Sequence, residues 1–227
     1  CLVGSEMCIR DRILLVDDHA VVRQGYAALL RVLLPDVQVI EACDGEEALA
    51  RTLEVAPSLV IMDVGLPGIS GVETTRRLLQ RLPQLRVLFF SMHDELPLVR
   101  QALDAGASGY ITKSSSPEVL LDAVRRTLAG HAYIEQTLAT QLARNPVAAN
   151  AQDPRLQGMT QREFEIFVML AKGTPARLIA ERLCISGKTV SNYLTLLKSK
   201  LQVSSHAELV HLAIDTGIVR VGDRAAS

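Results

Sequence analysis

The stretch LVIMDVGLPGISG at residues 59–71 decides the fold of this chain. Four apolar residues lead into one carboxylate, Asp63, and the residues after it are rich in glycine and proline. A short apolar run bounded by turn residues predicts a strand buried on both faces, as in parallel sheets. Asp63 then lies at the carboxyl end of its strand, which is the edge where open α/β sheets bind their ligands.

Three other apolar runs also end in polar residues. The runs at 13–16, 87–90 and 110–112 are followed by Asp17-Asp18, Ser91 and Lys113 respectively. One aspartate after a strand is usually a turn or helix cap, but this set at four strand ends is hard to explain as caps. Clustered carboxylates repel and need a cation, and their hard oxygens suit Mg²⁺. The hydroxyl and the ammonium suit a phosphoryl group.

The alternation of strands and helices predicts a parallel α/β sheet over residues 13–130. Five strands are predicted near 13–16, 37–41, 59–62, 86–90 and 109–112, and five helices near 20–33, 46–56, 71–82, 95–105 and 117–129. Residues 1–12 lack a starting methionine and any periodicity, and we expect them to be a non-native leader. Residues 131–158 are predicted to be a linker that is helical near 135–143.

Residues 159–217 predict an all-α domain of four helices, followed by a tail at 218–227. Capping boxes at 160–163 and 205–208 open the first and last of these helices, and Gly217 ends the last one. Between them, helices at about 175–183 and 187–201 are joined by a tight turn. This arrangement is typical of a helix-turn-helix.

The helix at 187–201 has an apolar stripe and a polar face. Val190, Leu194, Leu197 and Leu201 form the stripe. Ser191, Asn192 and Thr195 on the other side could hydrogen-bond base edges. Nearby side chains could contact DNA phosphates, namely Lys188, Thr189, Lys198 and Lys200. An ordinary solvated helix face explains the same pattern without DNA.

Charge and cysteine content restrict the classes of function. Residues 13–130 carry 11 basic and 15 acidic side chains, whereas residues 159–224 carry 9 and 6. An acidic first part and a basic second part fit a cation site joined to a polyanion-binding domain. The four cysteines lack metal or disulfide spacing, and no apolar run approaches the ~18 residues of a membrane span. We therefore expect a cytoplasmic protein without membrane association.

The first part of the chain resembles the receiver domains of two-component response regulators. The resemblance rests on VDDH (16–19), MDVGLPGISG (62–71), FSMHD (90–94) and GYITK (109–113). The second part resembles the LuxR-like output domain of NarL/FixJ-type regulators, through MTQREFEIFVMLAKG (159–173) and IAERLCISGKTVSNYLTLLKSKLQVSSHAELV (179–210). The resemblance implies a flavodoxin-like strand order of 2-1-3-4-5 and a bacterial DNA-binding transcriptional regulator controlled by phosphorylation.

The resemblance also implies a role for each residue at the sheet edge. Asp63 would accept a phosphoryl group from a histidine kinase. Mg²⁺ would be held by Asp18, Asp63 and the backbone carbonyl of Gly65, with Asp17 binding through water. Lys113 and Ser91 would stabilise the phosphoryl group, and Tyr110 would turn inward as Ser91 moves.

The implied protein is a regulator that assists its own phosphotransfer and dephosphorylation, and it is not otherwise an enzyme. Its partners would be a sensor histidine kinase and double-stranded promoter DNA, with RNA polymerase as a further candidate. One recognition helix offers little contact, so we expect a homodimer on DNA. The final helix would form the dimer contact through Leu209, Leu212 and Ala213.

Two positions depart from the family pattern. Ser114 follows Lys113, where many receivers have proline after a cis peptide bond, and Gly187 weakens the start of the recognition helix. Two alternatives fit less well: a haloacid-dehalogenase-like phosphatase needs a second aspartate where Gly65 stands, and an acyl-lactone sensor would lack the acidic strand ends. A third alternative, a purely protein-binding receiver, is excluded only if residues 159–217 bind DNA.

Overall fold

The computed structural model describes residues 11–144, 154–157, 159, 161–183, 185–216 and 218–219. The chain forms two compact units, the first made of residues up to 92 and residues 102–135. The second unit contains residues 93–101 and the chain from residue 136 onward. Within the described ranges, no helix has both the length and the apolar character needed to cross a bilayer.

The first unit is built on a parallel sheet whose strand order is β2-β1-β3-β4-β5-β6. The predicted order of 2-1-3-4-5 is confirmed, but the predicted count of five strands is wrong. The strands are β1 (Arg12–Val16), β2 (Gln38–Ala42), β3 (Leu59–Met62), β4 (Arg86–Ser91), β5 (Gly109–Thr112) and β6 (Tyr133–Ile134). The helices between them are α1 (Ala20–Leu33), α2 (Gly45–Val55), α3 (Gly71–Arg81), α4 (Leu96–Asp104) and α5 (Pro117–Leu128).

The sixth strand lies in the segment that was predicted to be a linker. After α5, Gly130 takes a positive φ of 90° and turns the chain back toward the sheet. The backbone N–H of Tyr133 then donates to the carbonyl of Ser108 at 3.1 Å, which starts pairing with β5. The pairing is short because the chain enters helix α6 (Gln136–Arg144), as expected for this segment. Helix α7 (Pro154–Gln157) follows, and residues 145–153 lie outside the described ranges.

The predicted leader also needs a correction at its end. Arg12 is the first residue of β1 and pairs with Gln38. The Asp11 carboxylate accepts a hydrogen bond from the Ser58 hydroxyl at 2.8 Å. Both residues therefore belong to the fold, whereas residues 1–10 lie outside the described part of the chain.

The central strands are buried on both faces, as the continuous apolar runs predicted. Every residue of β3 and β5 is buried, and so are the last four of β1. Alternate side chains from these strands pack with α1 and α5 in one cluster: Ile13, Leu15, Leu59, Ile61, Leu88, Phe90, Ile111, Ala27, Leu30, Leu120, Ala123 and Val124. This packing fixes the register, since a slip of one residue would exchange the two faces.

The second unit contains the predicted helix-turn-helix. The four-helix domain that carries this motif comprises α8 (Gln161–Ala171), α9 (Ala176–Arg182), α10 (Gly187–Leu201) and α11 (His206–Asp215). The apolar stripe of α10 faces the core, since Val190, Leu197 and Leu201 are at most 1% exposed. Leu194 is only half-buried.

Serine side chains cap the two last helices. The Ser186 hydroxyl accepts from the Thr189 N–H at 3.0 Å, and the Ser205 hydroxyl accepts from the Glu208 N–H at 3.1 Å. The return bond of the predicted capping box is shifted by one residue, because the Glu208 carboxylate accepts from the N–H of Ser204 instead. Thr160 and Gly217, which were predicted to open and close this domain, lie outside the described residues.

Candidate functional site

Sheet pairing brings Asp17 and Asp63 together at the carboxyl edge. Val16 pairs with Met62, and the backbone N–H of Asp63 donates to the Val16 carbonyl at 3.0 Å. Both carboxylates are nearly inaccessible to solvent, with side-chain exposures of 3% and 4%. Burying two like charges costs free energy unless a cation compensates them.

Lys113 provides that cation. Its ammonium donates to Asp17 Oδ2 at 2.7 Å and also to Asp63 Oδ2. Burial alone would lower the pKa of Lys113, but the two carboxylates raise the pKa above its ordinary value. The backbone N–H of Lys113 donates to the Ser91 carbonyl at 2.7 Å, which extends the pairing of β4 with β5 and fixes where the side chain starts.

The turn after Asp63 depends on a close approach of two backbone segments. The N–H of Gly71 donates to the Val64 carbonyl at 3.0 Å. A Cβ at Gly71 would lie 1.9 Å from the Asp63 carbonyl oxygen, so no other residue fits without moving the backbone. Gly71 was not among the predicted site residues, although its place at the end of the glycine-rich stretch was the available indication.

Four residues form an acidic cluster suited to a divalent cation. Ligand atoms of Asp17, Asp18, His19 and Asp63 lie within 4.8 Å of one another. Burial raises the pKa of the Asp18 carboxyl, with Asp63 and Asp17 adding to the shift while His19 opposes it. Three carboxylates against the single Lys113 ammonium leave an excess of negative charge. The oxygen donors and this excess fit Mg²⁺.

His19 was not among the predicted site residues. Its Nδ1 lies 2.7 Å from Asp18 Oδ1, and its backbone N–H donates to Asp17 Oδ1 at 2.8 Å. The position of His19 directly after the aspartate pair was the signal for it. Gly65 approaches the site through its N–H, which lies 3.3 Å from Asp63 Oδ1. Its predicted role as a carbonyl ligand stays a prediction.

Ser91 is the last residue of β4, and Tyr110 is the second residue of the neighbouring strand β5, where it pairs with Phe89. Both are fully buried. The Tyr110 ring stacks on Phe89 with their centroids 5.9 Å apart. The Tyr110 ring is therefore already buried in this conformation, and the predicted inward turn would have to start from a different one.

The predicted DNA-reading residues share one open face of α10. Lys188, Ser191, Asn192 and Thr195 are exposed. The hydroxyls of Ser191 and Thr195 donate to carbonyls of the preceding turn at 3.1 Å, so they face a base as acceptors unless they rotate.

The four predicted phosphate contacts differ in their surroundings. Lys188 is exposed and Lys198 is half-buried. The Thr189 hydroxyl lies 2.7 Å from the Ser186 hydroxyl, within the cap of α10. Lys200 donates to Glu163 at 2.6 Å, and the Glu163 side chain is only 7% exposed. Lys200 therefore has a structural partner within its own unit.

The residues chosen for the dimer contact need a correction. Leu209, Leu212 and Ala213 are 0%, 6% and 0% exposed within the single chain. They form the inner face of α11, so a second copy cannot reach them while the unit stays folded. The prediction assumed that a domain of four helices would leave some of them open.

Comparison with known proteins agrees with this architecture. The family model described as "Response regulator receiver domain" matches residues 13–125, and the model described as "Bacterial regulatory proteins, luxR family" matches residues 157–213. The transcriptional activator protein ExaE of Pseudomonas putida is 68% identical over 210 residues, which cover 92% of this chain and 98% of that protein. The response regulator GacA of Pseudomonas aeruginosa is 36% identical over 209 residues, which cover 92% and 97%.

One solved structure is similar to more than half of the chain. It is a two-component response regulator of the LuxR family from Aurantimonas sp., with 42% identity and a TM-score of 0.57. The match covers 60% of this chain and 97% of that one. Both matched models, the two curated relatives and the geometry of the sheet edge point the same way. The chain belongs to the NarL/FixJ family of two-component response regulators, which join a receiver domain to a LuxR-type DNA-binding domain.

Proposed function

We propose that Asp63 is the phosphoacceptor of this regulator and that its phosphorylation controls DNA binding by the second unit. One observation carries the proposal: the Lys113 ammonium donates to two buried carboxylates, Asp17 and Asp63, at the carboxyl edge of the sheet. This geometry supplies a positioned cation beside the nucleophile before any phosphoryl group arrives.

The proposed reaction is a displacement at phosphorus. An oxygen of the Asp63 carboxylate attacks a phosphoryl group carried on a histidine of the kinase. The bond between phosphorus and the imidazole breaks, the imidazole takes up a proton, and an acyl phosphate forms on Asp63. Such transfer depends mainly on positioning and on neutralising charge. Hydrolysis of the acyl phosphate by water would reset the protein. The only catalysis we propose for this protein is that it assists its own phosphotransfer and dephosphorylation.

Asp18, Asp63 and the carbonyl of Gly65 would hold Mg²⁺, with Asp17 binding through a water molecule. When bound, the ion neutralises the charge that gathers on the phosphoryl oxygens and the carboxylates. Lys113, which donates to Asp17 and Asp63, would transfer one of these hydrogen bonds to a phosphoryl oxygen. The Ser91 hydroxyl would donate to another, and Tyr110 beside it would hold the rearranged strand end.

Helix α10 would enter the major groove of promoter DNA. Ser191, Asn192 and Thr195 would contact base edges, because they are exposed on one face. Lys188 and Lys198 would contact phosphates. Thr189 and Lys200 remain candidates for phosphate contact, but each would first have to leave its partner within the unit.

Two copies would bind adjacent half-sites about one DNA turn apart. Since the inner face of α11 is buried, we place the dimer contact on its outer face, which carries exposed Ala207 and His211 and half-buried Val210 and Ile214. A sensor histidine kinase would supply the phosphoryl group, and RNA polymerase would read the bound dimer. The cytoplasm is where these partners would meet.

Labelling by radioactive acetyl phosphate tests the phosphoacceptor. We expect the full chain to be labelled in Mg²⁺ and to lose labelling in EDTA. Asp63→Asn should remove the label, whereas Asp36→Asn, at an exposed position in the loop before β2, should not. Undiminished labelling of Asp63→Asn would contradict the assignment of Asp63.

A further inference from the structure

Glu135 makes an unusual set of hydrogen bonds at the end of the first unit. Its Oε2 accepts from the backbone N–H of Thr112 at 3.0 Å and from the Thr112 hydroxyl at 2.9 Å. It also accepts from the Ser115 hydroxyl at 2.7 Å. One carboxylate oxygen thus holds both ends of the segment Thr112–Ser115. Bonds to a charged acceptor are about twice as strong as neutral ones.

The donor and the acceptor of each hydrogen bond in this cluster can be assigned. A carboxylate only accepts, so the hydroxyls of Thr112 and Ser115 both direct their protons to Glu135. The Ser114 hydroxyl lies 2.9 Å from Thr112 Oγ1, and it must be the donor there because the Thr112 proton is already used. Ser114 is therefore tied indirectly to the same carboxylate.

Strand geometry explains why a side chain is needed at this point. The N–H of Glu135 donates to the Tyr110 carbonyl at 3.1 Å, as the last backbone bond between this segment and β5. In a parallel ladder the next bond would run from the Thr112 N–H back to a backbone carbonyl of the partner strand. The chain instead enters α6 at Gln136, and the Glu135 carboxylate takes the place of that carbonyl.

The segment held in this way carries Lys113. Its backbone N–H is fixed by the Ser91 carbonyl, and its carbonyl lies 3.5 Å from the Tyr26 hydroxyl. Glu135 binds Thr112, which directly precedes Lys113, and Ser115, which is the second residue after Lys113. The stretch Lys113–Ser116 has no proline to stiffen it, and no described peptide bond is cis. Side-chain hydrogen bonds to Glu135 provide the restraint.

We propose that Glu135 is a positioning residue for phosphoryl transfer at Asp63, and that it acts by holding the Lys113 segment in the geometry that directs the ammonium to the carboxylate. Glu135 touches neither Asp63 nor the phosphoryl group. It is also the last residue of the first unit. The inference rests on the proposed role of Asp63.

The test compares labelling rates of full-length variants over a range of acetyl phosphate concentrations in Mg²⁺. Glu135→Ala should lower the maximal rate about 10-fold or more, because small misplacements of a catalytic group have large effects. The half-saturating concentration should change less than about twofold, since no group that meets acetyl phosphate is removed. Glu54→Ala, at an exposed position of α2, is the matched control and should label as the unmodified protein does.

Two further variants separate positioning from charge and from general stability. Glu135→Gln keeps an acceptor oxygen at the same distance and should restore the maximal rate to within about threefold, because neutral bonds are weaker but still form. Glu135→Asp keeps the charge, but its side chain is one methylene too short, and it should resemble Glu135→Ala. Ser115→Ala should lower the rate by itself but cause little further loss in Glu135→Ala, since the two residues act through one bond.

The outcomes distinguish this inference from the proposed function. If the unmodified protein is not labelled, or Asp63→Asn still is, the role of Asp63 fails and the inference fails with it. If labelling at Asp63 is intact but Glu135→Ala labels at the unmodified rate, only the inference is overturned. Restoration by Glu135→Asp and not by Glu135→Gln would also overturn it, because charge alone would then be responsible.

Discussion

The carboxyl edge of the sheet and the open face of α10 place their functional residues in opposite environments. At the sheet edge, Asp17, Asp63 and Lys113 are buried against one another. On α10, the side chains of Ser191, Asn192 and Thr195 are exposed. The two hydroxyls donate to carbonyls of their own helix, as they would in any solvated helix. Burying charges costs several kcal/mol per ion, so a buried cluster needs a reason, whereas an exposed polar face does not.

Lys113 and Lys200 show how the same residue type differs between the two regions. Each ammonium forms an ion pair with a buried carboxylate of its own unit. At Lys113 two carboxylates share one cation, which leaves negative charge for a further cation to neutralise. At Lys200 the described ion pair joins one ammonium to the one carboxylate of Glu163. The first arrangement suits a reaction and the second suits stability.

The largest expected effect tests this reading of Lys200. Lys200→Met removes the Lys200 ammonium from the buried Glu163 carboxylate, and we expect the free energy of unfolding of the second unit to fall by about 2–4 kcal/mol. Lys188→Met, on the exposed side of the same helix, should change it by less than about 0.5 kcal/mol. Urea unfolding followed by circular dichroism would measure both. Equal stability of the two variants would contradict a structural role for Lys200.

The next effect concerns DNA binding, in which some residues of α10 are predicted to contact bases and others phosphates. Asn192→Ala should cost about 1–3 kcal/mol on the specific site and relax sequence preference, because a base contact is lost. Lys198→Ala should weaken binding to all sequences alike and reduce the salt slope by about one. Gel-shift titrations on specific and random DNA at two salt concentrations would measure these changes. If Asn192→Ala weakens both DNAs equally, the residue does not read bases.

The smallest effect tests the charge conflict at the sheet edge. The folded-state pKa of Asp18 is raised, so the stability that this group confers is greatest below its ordinary pKa and is lost as pH rises through the raised value. Ionised Asp18 therefore opposes folding at pH 7. Asp18→Asn should stabilise the metal-free protein by about 0.2–1 kcal/mol at pH 7, because Asp18 is exposed and water screens its repulsion with Asp17 and Asp63.

This gain should shrink as pH falls toward the ordinary carboxyl pKa, and Mg²⁺ should stabilise the unmodified protein more than Asp18→Asn. Urea unfolding in EDTA and in Mg²⁺ at pH 7 and pH 5 would measure both trends. Asp36→Asn, at an exposed site, serves as the control and should show neither. A gain that stays constant with pH would rule out ionised Asp18 as its source.

The sequence predicted which residues meet at the sheet edge because its pattern is local. Each apolar run ends in a residue that the structure brings to this edge, so finding the strand also finds Asp63 or Lys113. Glu135 and Gly71 were missed for physical reasons. Glu135 works through a pairing between β5 and β6 that two residues of strand are too few to reveal, and Gly71 works through a backbone approach that no periodicity reports.

The final helix shows where periodicity was misread. Leu209, Leu212 and Ala213 have the spacing of an apolar face, and the spacing alone does not say whether that face meets its own domain or a second copy. The structure places them inside the domain, where α11 packs against α8. The residue types on the outer face, such as His211, do not distinguish a solvent-exposed face from a dimer contact.

The most direct test of the account is DNA binding by the full chain before and after treatment with acetyl phosphate and Mg²⁺. The probe is a genomic fragment selected by the phosphorylated protein. We predict that phosphorylation tightens binding by about 10-fold or more, within the usual range of coupling between two sites, and that Asp63→Asn shows no such change. Equal binding by both proteins before and after treatment would contradict the account.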